Sequence, residues 1–175
     1  MGGIGNTHAD CHKNDSLAQL VAVCDVVKEK ADAAAGKHGV KAYYTLKDML
    51  ANEELDIVDV TTGGYENGSW HFEPAMEALE AGYPVLCEKP LTTHWEECRR
   101  IRSAASAARA VVFTTPNWKY APIFRTAKRT LRRGDIGSVT HLRLETIRTT
   151  PPRDAGETGA WRLDPALAGG GIMVD

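Results

Sequence analysis

No apolar run in this 175-residue chain approaches the ~20 residues that a membrane-spanning helix requires, so no stretch of it reads as a bilayer span. Excess charge of one sign is also missing. Twenty-one basic side chains face 23 acidic ones, and a net charge of −2 leaves no global field to attract nucleic acid or an anionic membrane. The opening residues lack a basic segment followed by an apolar one, so nothing in them reads as an export signal. Cysteine is scarce: Cys11, Cys24, Cys87 and Cys98 show no C-x-x-C spacing, which argues against a zinc or disulfide framework and points to a reducing, cytoplasmic setting. Cys24 and Cys87 fall in apolar, strand-like runs, where a thiol acts as a small hydrophobe. Internal repeats and low-complexity segments are absent.

What is present is an ordinary globular composition, 43% hydrophobic and 25% charged. Short apolar runs alternate with longer amphipathic ones. Strands are expected at 17–25, 41–44, 55–62, 83–88 and 110–115, separated by helices at 26–39, 45–52, 69–82 and 92–108. Thr45 with Asp48 and Thr93 with Glu96 read as capping boxes, and Trp95, Cys98, Arg102 and Ala105 recur at helical spacing. Strands divided by helical patterns imply βαβ units, hence a doubly wound parallel sheet. After Thr115 the pattern changes. A helix is expected over 121–134, then an alternating segment, 138–150, that suggests a strand of an antiparallel sheet with one wet face. A domain boundary near residue 117 follows: residues 1–117 form a dinucleotide-binding domain and 118–175 the beginning of a second, α+β domain.

The chain opens MGGIGNTHAD, which makes Gly2 and Gly5 the last two glycines of a G-x-G-x-x-G turn. Such a turn lets the backbone approach a pyrophosphate and aims a helix N-terminus at it. Asp25 ends a strand-like run twenty residues after Gly5, where an acceptor for the adenosine ribose belongs. The same aspartate also suits a helix N-cap, and the two roles are compatible. In this reading the first glycine and the strand that feeds it lie upstream of Met1, so the chain is expected to be a fragment, unstable and inactive by itself.

The segment HFEPAMEALEAGYPVLCEKPLT, 71–92, resembles the signature region of the Gfo/Idh/MocA family, relatives of glucose-fructose oxidoreductase and inositol dehydrogenase. His71, Ala78, Leu79, Ala81, Gly82, Glu88, Lys89 and Pro90 fall at the family's spacing. Further matches are GGIGNTHA at the front, N-x-K-x-x-P at 117–122, G-D-I-G at 134–137 and G-G-G-I-M-V-D at 169–175. The resemblance implies a Rossmann domain that lacks its first strand. It also implies an NAD(P)-dependent oxidoreductase that moves a hydride between the nicotinamide and a hydroxyl or carbonyl of a sugar, cyclitol or related polyol. NAD is favoured over NADP because Asp25 repels a 2′-phosphate; Lys28 is the nearby cation that could answer one. A homo-oligomer is implied for the complete enzyme.

Carried over residue by residue, the resemblance places Gly2, Gly3, Ile4, Gly5, Asp25, Thr61, His71, Glu88, Lys89 and Pro90 at the cofactor. It places Lys89, Asn117, Lys119, Trp161 and Arg162 at the substrate, with Lys89 and Asp175 catalytic. A lysine at the carboxyl end of a parallel strand projects into the ligand crevice, where partial desolvation and a cationic nicotinamide disfavour its charged form. That suits a proton shuttle or a hydroxyl-orienting group. The plainer reading is a surface lysine before a turn proline. Glu88 fits the nicotinamide ribose or a solvated strand end; His71 fits the cofactor or helix-start packing; Pro90 fits a cis peptide.

Two features depart from the family. The loop TTGGYENGSW exceeds the family's T-P-x-x-x-H connection by about four or five residues, long for such a connection. Lys119 stands where many relatives carry arginine. The chain stops at Asp175, the first acid of a motif whose catalytic histidine lies beyond it.

Other classes are weaker. Arg125, Lys128, Arg129, Arg132 and Arg133 form a basic run, but Phe124, Ala127 and Leu131 interleave with it, so the charges read as the wet face of an amphipathic helix. A dinucleotide-binding or regulatory protein without turnover, and an NAD-dependent glycosidase-like relative, remain as alternatives.

Overall fold

The computed structural model describes residues 1–63 and 69–145. The chain forms two units, one holding Met1–Thr115 and a second that starts at Pro116. In the first, α1 (Gly3–Asn14) leads into β1 (Ala22–Cys24), α2 (Lys28–His38), β2 (Lys41–Tyr43), α3 (Leu46–Asn52) and β3 (Val58–Val60). A single 3-10 turn (Ser69–His71) then enters α4 (Phe72–Glu80), followed by β4 (Val85–Cys87), α5 (Trp95–Ala108) and β5 (Val112–Thr114).

Among the described residues the strand pairings are parallel: β1 with β2, β3 with β4, and β4 with β5. The alternation of strand and helix produces this, because a parallel neighbour needs a crossover long enough to hold a helix. The strands form two sheets, β1-β2 and β3-β4-β5. In the doubly wound order 3-2-1-4-5-6 they occupy the positions 3-2 and 4-5-6. Among the described residues no strand lies between β1 and β3.

Packing follows the same division. The larger core gathers Val58 and Val60, Val85 and Cys87, the α4 residues Phe72, Ala75, Ala78 and Leu79, and Ile101 of α5. On α4 these apolar positions repeat at i, i+3, i+6 and i+7, one stripe of a helix. The smaller core joins Val23 to Ala34 and Ala35, with Met1, Leu20, Val40 and Ala42 around it. Gly39 ends α2 at φ +71°, a left-handed position that glycine adopts without a Cβ penalty, and its N–H closes on the Ala35 carbonyl at 2.8 Å. Burial pushes the Cys87 thiol up to about 12, helped by the nearby carboxylates Asp59 and Glu88. Cys24 is raised to about 11, by burial and then by Asp25, so both thiols act as small apolar groups, as their setting in the sequence suggests.

Several local expectations are corrected. Thr45 caps α3 as expected, its Oγ1 accepting from the Asp48 N–H at 3.1 Å. The box from Thr93 to Glu96 does not form. The N-cap of α5 is His94, whose N–H donates to Thr92 Oγ1 at 3.0 Å, and Thr92 donates in turn to Glu97. The inward face of α5 is carried by Ile101, with Ala104 and Ala105, while Trp95 is 70% exposed. The series 95, 98, 102, 105 lies on this helix as its spacing implies, with Ala105 on the inward face and Trp95 toward solvent.

The second unit holds α6 (Asn117–Tyr120), which was not expected, and α7 (Pro122–Arg133), closed by Gly134. Pro122 starts α7 because its missing N–H is one that a first turn leaves unpaired anyway. No strand forms over 138–145, the described part of the alternating segment, where Leu142 and Leu144 are 74% and 65% exposed. A strand exists only through a partner ladder, and no described residue supplies one. Residues 146–150 lie outside the described set, as do Pro151 and Pro152. No helix among the described residues is long and apolar enough to cross a membrane.

Candidate dinucleotide and hydroxyl site

The site is built where the parallel strands end. Gly2 is the N-cap of α1, contributes no side-chain cap, and is followed by a first turn without an acidic residue. A Cβ added at Gly2 or Gly3 would meet nothing within 4 Å, so there is open space beside these two residues. Gly5 is different: it is buried, and a Cβ there would stand 2.9 Å from Thr61 Oγ1. Thr61 directly follows β3, so Gly5 lets the first turn of α1 press against the carboxyl end of that strand. The Met1 amine engages the carboxylate of Asp25, which directly follows β1. The N-terminus of α1 therefore stands at the carboxyl ends of both β1 and β3, the place where an α/β sheet binds a phosphate. A glycine turn without a side-chain cap or an acidic residue, at a helix N-terminus with open space beside it, fits a dinucleotide pyrophosphate. Ile4 is 45% exposed in the same turn.

Replacing Gly5 by alanine should therefore act twice. The new methyl overpacks the α1–β3 contact, a destabilisation of about 1–3 kcal/mol, and displaces the turn that presents the N–H groups. Urea unfolding and NAD titration measure the two effects; an unchanged midpoint with unchanged affinity would show that Thr61 simply rotates away.

Asp25 accepts from the Val27 N–H at 2.9 Å through Oδ1, just before α2. Burial pushes its carboxyl up, but the hydrogen bonds from the Met1 ammonium and the Val27 N–H outweigh it and hold the group below the usual carboxylate range. Of the two sequence roles, the cap is present as a turn contact, although the N-cap position itself is Val27.

The E-K-P turn follows β4. The Glu88 N–H donates to Val60 carbonyl at 2.9 Å, which pins this residue to the end of β3. Its side chain is 7% exposed: Oε1 accepts from Thr115 Oγ1 at 2.6 Å, and Oε2 accepts from the Lys89 N–H at 3.1 Å. The Lys89–Pro90 peptide is cis. Buried His71 donates from Nδ1 to the Pro90 carbonyl at 2.7 Å, tying the start of α4 to the turn. The backbone is thus clamped from three directions, while the Lys89 side chain is exposed at the strand end. On the neighbouring loop, Thr62 Oγ1 donates to the Trp70 carbonyl at 2.6 Å; residues 64–68 of that loop lie outside the described set.

The described site residues from the sequence thus gather at one edge of the first unit: Gly2, Gly3, Ile4, Gly5, Asp25, Thr61, His71, Glu88, Lys89 and Pro90. Asn117 and Lys119 lie on α6 of the second unit. Trp161, Arg162 and Asp175 lie outside the described residues. One group was missed. His8 and His12 share a face of α1 and converge on Asp59, at 2.9 and 2.6 Å from its Oδ2, and His8 also reaches Glu88 at 3.2 Å. Their i, i+4 spacing was the available signal.

Comparison with known proteins agrees with this geometry. Residues 1–115 match the oxidoreductase family described as having an NAD-binding Rossmann fold, and residues 124–175 match the GFO/IDH/MocA C-terminal domain. A 1,5-anhydro-D-fructose reductase of Ensifer adhaerens is 29% identical over 158 residues, 90% of this chain and 45% of that protein. An inositol 2-dehydrogenase of Klebsiella pneumoniae is 35% identical over 149 residues, 81% of this chain and 42% of that protein. The chain thus spans less than half the length of these curated relatives. Among solved structures, an NAD-binding protein from Listeria innocua superposes with a TM-score of 0.75 at 30% identity, covering 99% of this chain and 48% of its own. The WlbA dehydrogenase of Chromobacterium violaceum, solved with NADH and UDP-GlcNAcA, gives 0.70 at 30% identity over 78% of this chain and 39% of its own. Sequence motif, strand order and glycine turn converge on one assignment: the chain belongs to the Gfo/Idh/MocA oxidoreductase family and carries its NAD-binding Rossmann fold.

Proposed function

We propose that this chain forms the cofactor-binding and proton-handling part of an NAD-dependent dehydrogenase acting on a secondary hydroxyl of a sugar, cyclitol or related polyol. The observation that carries the proposal is the placement of Lys89. It projects from a clamped turn at the carboxyl end of β4, on the sheet edge that also holds the N-terminus of α1 and Asp25. The similarity to a 1,5-anhydro-D-fructose reductase and to inositol 2-dehydrogenases supplies the substrate class.

The residues divide the work. The N–H groups of the Gly2–Gly5 turn bind the pyrophosphate, Asp25 accepts from the adenosine ribose, and Glu88 holds the turn beside the nicotinamide ribose. When bound, NAD supplies the hydride acceptor. Lys89 Nζ takes the proton that the substrate hydroxyl releases as it becomes a carbonyl, or returns it in the reverse direction. His71 positions this lysine through the Pro90 carbonyl. Asn117, Lys119, Trp161 and Arg162 contribute to the substrate pocket and Asp175 to catalysis, with a domain boundary near residue 117. The working enzyme is a homo-oligomer in the cytoplasm.

The test is NADH formation from NAD by the full-length enzyme that carries this chain, over a panel of cyclitols, aldoses and anhydrohexitols. Net NADH with at least one of them is expected. Saturable NAD binding without NADH from any would instead indicate a regulatory protein or a hydrolytic relative with no net redox change.

A further inference from the structure

We propose that His8, His12 and Asp59 form a binding site for a first-row divalent cation, zinc by its donor set. The site adjoins the proposed dinucleotide site through Glu88 but uses three other residues, and its test does not depend on the proposed dehydrogenase activity. His8 and His12 lie one turn apart on α1 with their rings edge to face, 6.4 Å between centroids. Asp59 meets them from β3, so two elements far apart in sequence supply the three groups. One donor atom from each lies within 4.8 Å of the others. Four-coordinate zinc with nitrogen and oxygen ligands near 2.0–2.1 Å holds its donors about 3.4 Å apart, within reach of small side-chain rotations.

Hydrogen bonding alone leaves this trio poorly satisfied. His8 faces a carboxylate oxygen at each ring nitrogen, Asp59 Oδ2 at 2.9 Å from Nδ1 and Glu88 Oε1 at 3.2 Å from Nε2. A neutral imidazole has one N–H to give. With that N–H on Nε2 toward Glu88, the lone pair of Nδ1 opposes an oxygen lone pair, and a second proton or a cation must lie between them. His12 Nε2 crowds the same Asp59 oxygen at 2.6 Å, while Oδ1 is buried with no hydrogen-bond partner among the described residues. A cation held by His8 Nδ1, His12 Nε2 and the Asp59 carboxylate resolves the opposed lone pairs. The same ion would bring Oδ1 within reach as a second ligand atom.

The outer partner is also in place. Metal-bound histidines characteristically donate their other N–H to a carboxylate that fixes the ring. Glu88 does this for His8 and is itself held by Thr115 and the Lys89 N–H. The histidines and Asp59 keep 15–29% of their side-chain surface exposed, which leaves a path for the ion and a water as the remaining ligand.

The experiment is Zn2+ titration into the metal-stripped 175-residue chain against a chromophoric chelator, with Co2+ as a spectroscopic probe and circular dichroism to verify each variant's helix content. One equivalent of Zn2+ and tetrahedral Co2+ absorption in the visible are expected. H12A, and H12Q as the variant that preserves helix propensity, should each weaken Zn2+ binding by more than the roughly 10-fold expected for removing the outer carboxylate with E88Q. D59N should behave like H12A. C11S, on the exposed side of the same helix, should leave affinity unchanged. Absence of the Co2+ bands would overturn the proposal and leave a proton-bridged network. So would Zn2+ affinity equal to wild type in both H12Q and D59N, or affinity lost in C11S.

Discussion

Replacing Lys89 by alanine in the full-length enzyme is expected to lower kcat by about 10²–10⁴-fold while NAD affinity stays within a few-fold, the loss that follows removal of one positioned acid–base group. The split arises from how the turn is built. Glu88 and His71 hold the backbone of the E-K-P segment through the Lys89 N–H and the Pro90 carbonyl, and neither bond passes through the lysine side chain. Truncating that side chain therefore leaves the clamp and the glycine turn intact. Lys89→Arg separates proton transfer from charge. A guanidinium keeps the positive charge but does not give up a proton near neutral pH, so the arginine variant should be nearly as impaired as alanine. Steady-state kinetics with a polyol that wild type turns over, paired with NAD titration, supplies both readings. Full activity in the alanine variant would return Lys89 to an ordinary surface residue.

The preference for NAD over NADP should narrow by as much as about 10³-fold in Asp25→Asn. A 2′-phosphate placed ~4 Å from the carboxylate costs roughly 4 kcal/mol at an effective dielectric near 20, and each 1.4 kcal/mol is a factor of ten. Asparagine is the informative replacement because its carbonyl can still accept from the Val27 N–H, so the turn into α2 survives the loss of charge. The main competitor for a phosphate is Lys28, and its Nζ lies 5.1 Å over the Tyr44 ring, a contact it would have to leave. The carboxyl of Asp25 is held below its usual range, so its charge, and the discrimination it provides, should persist as pH falls through the ordinary aspartate range. Calorimetric titration with both dinucleotides decides the matter. Equal affinities in the wild-type chain would remove Asp25 from cofactor selection.

The fold was legible because its signals are local and periodic. Ala31, Ala34, Ala35 and His38 on α2 and Phe72, Ala75, Ala78 and Leu79 on α4 repeat at helical intervals, and both sets are buried. The strand runs were located correctly but drawn too long. The paired cores of β1, β3 and β4 are three residues each, because ladder bonds stop where the partner strand stops, which no single segment records. The inward face of α5 and the unpaired stretch at 138–145 were not legible, for a shared cause. Which stripe of a helix turns inward, and whether an alternating segment finds a partner, depend on residues distant in sequence.

The E-K-P signature and the glycine turn named the site's residues because each acts through its own backbone: a close approach at Gly5, a turn at Pro90. What these residues are bonded to came only from tertiary structure. His71 was open between cofactor contact and packing, and folding places its Nδ1 on the Pro90 carbonyl. Glu88 was open between the nicotinamide ribose and a solvated strand end, and folding buries it among partners from α1, from Thr115 directly after β5 and from its own turn. The convergence of His8 and His12 on Asp59, 47 to 51 residues away, leaves only half a trace in sequence, the i, i+4 spacing on one helix. Periodicity reports which face a segment will bury. The side chains that meet across two such faces are set by how the crossover helices lay strand beside strand, and that is a property of the folded chain.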